Sequence, residues 1–201
     1  MNQSSKPMTQ PTKPSIPKAC ISQNEVILSD CMDTLWEQHV FWTRLFLISV
    51  AENLQDLEPT KQRLLRNPKD IANVYRVYYG DDIANNIEEL ITEHLEIGGN
   101  LIVALKNNDS SKAEMLDNQW HQNADDIAKY FNSFNPYYGE KEVREMFYEH
   151  LRLTSIEVGA RLNKQYEQDI KAFDTIEQEA LMMAKYFSDG IIMQFPEYFK
   201  A

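Results

Sequence analysis

The stretch Gly80–Asn107, GDDIANNIEELITEHLEIGGNLIVALKN, decides the fold class. Its inward line is Ile83, Ile87, Leu90, His94, Ile97, Leu101 and Ala104. The steps alternate between four and three residues, the period of one helix face. Gly80-Asp81 opens this helix, and Asn107-Asn108-Asp109-Ser110 reads as the turn that closes it. The one ionisable side chain on an otherwise apolar line is His94.

Working outward, the same period recurs. A first helix is expected from Ser29 or Asp30 to about Asp56, stopped by Pro59, with Met32, Leu35, His39, Trp42, Phe46, Ser49 and Asn53 inward. Residues 60–79 read as a long connector with one or two short helices, broken at Asn67-Pro68 because a residue before proline disfavours helix. After the Asn107 turn a third helix runs to about Asn132, with Trp120, Ala124, Ile127 and Phe131 inward. A fourth begins near Glu140, with Val143, Met146, His150, Leu153, Glu157 and Ala160 inward. A fifth, from about Ile170 to Ser188, carries Phe173, Ile176, Ala180, Met183 and Phe187. The pattern predicts an all-α, up-down four-helix bundle with an extra C-terminal helix and a long helix 1–2 connector.

Composition bounds the rest. The 201 residues suit one domain, and 43% hydrophobic content supplies a core. Residues 1–22 hold Pro7, Pro11, Pro14 and Pro17 and little to bury, so they read as a disordered Pro/Ser/Lys tail ahead of a single helical-bundle domain over 23–201. The net charge is −11, and −14 from Gln23 onward once Lys6, Lys13 and Lys18 are left aside. So acidic a protein repels nucleic acid and anionic lipid. No apolar run approaches a membrane span, and the first residues lack the apolar centre of a signal peptide, so a cytoplasmic location is expected. Cys20 and Cys31 have no metal-ligand spacing and read as free thiols.

The chain has four histidines, His39, His94, His121 and His150, one on each of the first four long helices. Counting from the turns places them at one level. His94 stands about 14 residues before one turn and His121 about 12 after it, a mismatch of about 3 Å at 1.5 Å per residue. His121 lies beside its stripe, not at its centre. Tyr78-Tyr79-Gly80-Asp81 and Tyr137-Tyr138-Gly139-Glu140 precede the helices of His94 and His150, and each histidine sits in a Glu-His-Leu run, which suggests a duplicated helix pair. One turn beyond the histidines stand Thr43, Gly98, Asp125 and Thr154, on the same faces.

Two readings of this layer stay open. In one, the imidazoles with Glu157 hold a transition metal (zinc, iron, copper or nickel) or line a small-ligand site, supported by Thr43, Asp125 and Thr154. Asp117, His121 and Asp125, at steps of four, are a spacing from which a helix can share an ion. In the other, plainer for a histidine on an apolar face, a polar layer bonded to Thr43, Thr154, Glu157 or Asp125 only sets helix register. The function then rests on a protein partner or homodimer, met by the acidic surface or by an apolar patch on the fifth helix. The Glu-x-x-His pairs of di-iron bundles are absent, since residue 91 is Ile and residue 147 is Phe. No phosphate loop, nucleophile elbow or other catalytic motif occurs, so an enzymatic activity is left undecided.

The runs Trp36–Arg44, Arg63–Pro68, Asn123–Ala128, Glu149–Thr154 and Asp189–Ile192 together resemble a family of small uncharacterised bacterial helical-bundle proteins. That resemblance implies a bacterial helical bundle and transfers no catalytic residue. The Trp/Phe-rich first helix with its histidine is also similar, faintly, to ferritin-like bundles of unknown function that bind metal.

Overall fold

A computed structural model describes residues 21–200, and within them the chain is all helical. The helices are α1 (Gln23–Glu52), α2 (Leu57–Leu64), α3 (Asn67–Tyr79), α4 (Asp81–Lys106), α5 (Ser110–Phe134), α6 (Glu140–Leu162) and α7 (Tyr166–Gln194), followed by a 3-10 turn over Pro196–Phe199. The tail expected over residues 1–22 lies, up to residue 20, outside the described residues. Ser22 belongs to the fold. Its hydroxyl accepts from the Glu25 N–H at 3.2 Å, and the Glu25 carboxylate accepts from the Ser22 N–H at 2.9 Å. This reciprocal cap stands seven residues before Ser29 and eight before Asp30, the two expected caps.

Two further boundaries depart from expectation. Asn53, in the left-handed region at φ 53°, ends α1 and returns its N–H to the Ser49 and Val50 carbonyls. Pro59 therefore stops nothing; it lies in the first turn of α2, where a missing N–H costs no hydrogen bond. Pro68 likewise starts α3. The α3–α4 corner turns on Gly80 at φ 81°, a conformation that side chains resist.

The long helices pair in chain order. α1 returns through α2 and α3, α4 returns along α5, and α6 returns along α7. α7, expected as an addition to four helices, packs along both α1 and α6. Its Ile176, Ala180, Met183, Ala184, Phe187 and Ile191 are at most 2% exposed, and Phe187 stacks on Trp36 of α1 at 5.5 Å. Burying side chains of this size contributes roughly 1.5–3 kcal/mol each for the larger ones, so the C-terminal helix is part of the core. No helix among the described residues is long and apolar enough to cross a membrane.

Candidate metal centre

Each hairpin sends one histidine to the middle. His39 comes from α1, His94 from α4 and His150 from α6, at 4%, 1% and 4% exposure. Their ring centroids stand 6.4 Å (His39–His94), 5.7 Å (His39–His150) and 6.4 Å (His94–His150) apart. One ligand nitrogen from each lies within 4.8 Å of the other two. Ligands about 2.0–2.1 Å from a tetrahedral ion stand roughly 3.3 Å apart, so the triad would need to close by about 1.5 Å or less to hold one.

The second helix of each hairpin supplies an oxygen to the histidine of the first. His39 Nδ1–H donates to Asn67 Oδ1 at 3.0 Å, His94 Nδ1–H to Asn123 Oδ1 at 2.9 Å, and His150 Nδ1–H to Glu179 Oε2 at 2.9 Å. The sequence separations are 28, 29 and 29 residues. The amide orientations are fixed in turn. Asn67 Nδ2 donates to the Leu35 carbonyl, and Asn123 Nδ2 donates to the Leu90 carbonyl and to Glu93. Leu35 and Leu90 each stand four residues before the histidine concerned, so the same amide bridge is built twice. With the amide nitrogens committed, only oxygen faces the rings. Each Nδ1 then carries a proton, and the Nε2 of each ring takes no part in these bonds.

These Nε2 atoms are the free edges of the triad. That of His94 is fully buried with no hydrogen-bond partner. Burial, followed by the neighbouring His150, holds the His39 ring down to about 4, with the Asn67 bond opposing. Burial, then His150 and His39, holds His94 well below its ordinary value. Both rings are neutral at physiological pH, the form that binds metal. The surroundings are aromatic: Trp36 lies 5.8 Å from His39, and Trp120 and Phe147 lie 5.3 and 5.5 Å from His94.

A cavity of about 20 Å³ adjoins the triad, lined by all three histidines, Thr43, Thr154, Gly98 and Trp120 among others. Gly98 makes room for the indole, since a Cβ there would meet the Trp120 ring at 3.0 Å. Thr43 spends its hydroxyl proton on the His39 carbonyl at 2.7 Å.

Three sequence-derived candidates fall elsewhere. His121 is half-exposed. Its Nδ1–H donates to the Asp117 carbonyl at 2.9 Å, and its ring packs on Tyr148. One residue past Trp120 is about 100° around the helix, enough to turn it off the inward face. Asp125 accepts from Arg144 at 2.7 Å and from the Tyr148 hydroxyl at 3.2 Å, away from the triad. Glu157 is buried but bound to Arg44, which also reaches Asp169 at 2.6 Å; Arg161 joins Asp169 at 3.3 Å and Glu52 at 3.1 Å. Burial pushes the Glu157 carboxyl up to about 7, with Arg44 pulling the other way. Asn67, Asn123 and Glu179 were missed. Their signal was a polar residue at an inward position: Asn123 follows Trp120 by three, and Glu179 follows Ile176 by three.

Compared with models of known families, with curated proteins and with solved structures, the chain gives no match. The two resemblances above therefore rest on their quoted runs alone.

Proposed function

We propose that this protein is a metal-binding helical bundle in which His39, His94 and His150 hold one divalent transition-metal ion through Nε2. The observation that carries this reading is the set of three Nδ1–H bonds to Asn67, Asn123 and Glu179. A layer that only set register on Thr43, Thr154, Glu157 or Asp125 could also make interhelical bonds of this kind, but it has no use for a buried ring nitrogen left without a partner, which is costly. Here the Nδ1 of every ring is bonded to a fixed oxygen on the second helix of its hairpin, so Nε2 is the nitrogen left to take a ligand, and the buried His94 Nε2 has no partner. Oxygen acceptors behind histidine ligands fix ring orientation and raise ligand basicity. Three imidazole ligands suit zinc first, with iron, copper and nickel as the other ions of matching softness. Among the described residues Glu179 is the one carboxylate hydrogen-bonded to a triad ring, and it offsets one of the two charges such an ion brings.

Elemental analysis of untagged protein, followed by thermal melts with added zinc, iron, copper or nickel, tests the reading. About one ion per chain and a raised melting temperature are expected, because an ion bound only by the native state stabilises it. Less than about 0.1 ion per chain, with melting unmoved by every metal, overturns it. That result leaves a histidine layer that sets register in an interaction protein.

A further inference from the structure

We infer that an ion on this triad keeps one coordination position for a small exogenous ligand: water or hydroxide at rest, exchangeable for a small monoanion. This rests on the metal reading above and goes beyond it. Three histidines satisfy three of the four positions of a tetrahedral ion. The residues lining the adjoining cavity include no cysteine, aspartate or glutamate to fill the fourth. Glu157, the acid that sequence reasoning placed here, is held by Arg44. A closed structural site needs a fourth protein ligand of that kind, and the cavity offers only hydroxyls.

The cavity is built to receive something small and polar at one end. Its volume of about 20 Å³ passes the roughly 10–15 Å³ that one water needs. Its lining includes His94, whose Nε2 is buried without a partner, and Trp120, whose indole N–H is buried with no acceptor. A buried donor without a partner is costly, and an oxygen or nitrogen on the ion supplies the acceptor it lacks. The Thr154 hydroxyl lines the same space with no hydrogen bond of its own among the described residues. Charge points to an anion: a divalent ion, three neutral rings and the Glu179 carboxylate leave one positive charge to balance.

Size and access follow from the outer wall. Phe46, Leu64, Leu95 and Gly99 line both this cavity and a surface groove of about 360 Å³. One layer of apolar side chains therefore separates the ion from solvent. Phe46 is its largest member, and a Cβ on Gly99 would touch the Phe46 ring at 3.4 Å. That neck admits small ligands and refuses bulky or multiply charged ones.

Cobalt(II)-loaded protein, titrated with sodium azide and followed by visible absorption, tests the inference. Tetrahedral cobalt bands that shift saturably with azide are expected. Trp120→Phe keeps the ring and loses the donor, so azide binding should weaken at least about fivefold with cobalt affinity unchanged within threefold. Gly99→Leu, which fills the neck, should slow azide binding at least about tenfold without loss of cobalt. Cobalt bands indifferent to azide overturn the inference and leave the metal reading standing. A response equally strong in both variants overturns the cavity as the ligand's place. Failure to bind cobalt at all removes both readings together.

Discussion

Replacing Asn123 by alanine separates a metal centre from a packed polar layer. The substitution removes the acceptor of the His94 Nδ1–H at 2.9 Å and two donor contacts at 3.1 Å, to the Leu90 carbonyl and to Glu93. Leu90 keeps its helical partner and Glu93 is solvated, so the lasting loss is the orphaned N–H of a ring 1% exposed. An orphaned buried donor costs about 1–3 kcal/mol, which urea denaturation of metal-free protein reads directly. The metal adds a second effect. Loss of the group that orients a ligand histidine weakens metal binding about 10–100-fold, or roughly 1.4–2.7 kcal/mol. Competition with a chromophoric zinc chelator measures it. Asn123→Asp restores an acceptor and, unlike alanine, should recover most of the affinity while remaining less stable beside Glu93. Asn86→Ala, which removes only exposed contacts to Asp82 and Tyr130, should change neither quantity appreciably. If Asn123→Ala lowers stability but leaves zinc affinity within threefold of the parent, Asn123 does not hold a ligand and the argument from the Nδ1 bonds fails.

Three other outcomes follow from the same geometry. The stability of metal-free protein should fall by roughly 1.4 kcal/mol per pH unit between about pH 6 and 4.5. The unfolded chain protonates His39 and His94 below 6.5 while the native state holds His39 neutral to about 4 and His94 lower, and Glu157, protonated in the native state up to about 7, cancels one of those two protons. Glu157→Gln should roughly double the slope, and urea melts showing flat or rising stability on acidification would contradict the burial of the rings. His121→Ala should leave zinc affinity unchanged and shift stability by under about 0.5 kcal/mol; a tenfold loss in the chelator assay would return His121 to the site. Asp169→Asn should cost about 3–5 kcal/mol, since Asp169 is 0% exposed and is shared by Arg44 and Arg161, and a urea midpoint close to that of the parent would show the pair to be solvated.

The helices were legible because periodicity is local. The lines through Ile83–Ala104 and Val143–Ala160 each crossed a histidine, and those histidines lie in the centre. What failed was also physical. Levels counted along helix axes cannot report rotation, so His121 passed the count although it stands one residue off its stripe. Asn67 was masked by its proline, because Asn-Pro reads as a break when it is in fact the first turn of a helix. Glu157 looked like a ligand because its stripe position is inward, but the partner that claims it, Arg44, arrives from a helix more than a hundred residues away. The cap formed by Ser22 and Glu25 is a short local motif, legible in principle, that was lost at the edge of a proline-rich stretch. The repeat behind His94 and His150 has a structural counterpart in the 29-residue separation of each histidine from its oxygen. The structure extends the pattern to a third hairpin, in which the Tyr-Tyr-Gly signature is missing while the distance from His39 to its oxygen and the amide bridge to the residue four before it survive.

That threefold plan bears on when in the life of the chain the centre can exist. Successive triad histidines are 55 and 56 residues apart, and the last supporting oxygen comes 29 residues after the last histidine. No pair of adjacent hairpins contains the whole set. A polypeptide still emerging from the ribosome can therefore form its first two hairpins, with their two amide-held imidazoles, and have no centre to load. Assembly is completed only when α7 closes against α1 and α6 and brings Glu179 behind His150. On the proposed reading, occupancy of the centre would mark a chain whose α7 has closed: a copy without that helix in place would lack the grip, and an ion captured by the closed form would hold together segments far apart in the order of synthesis.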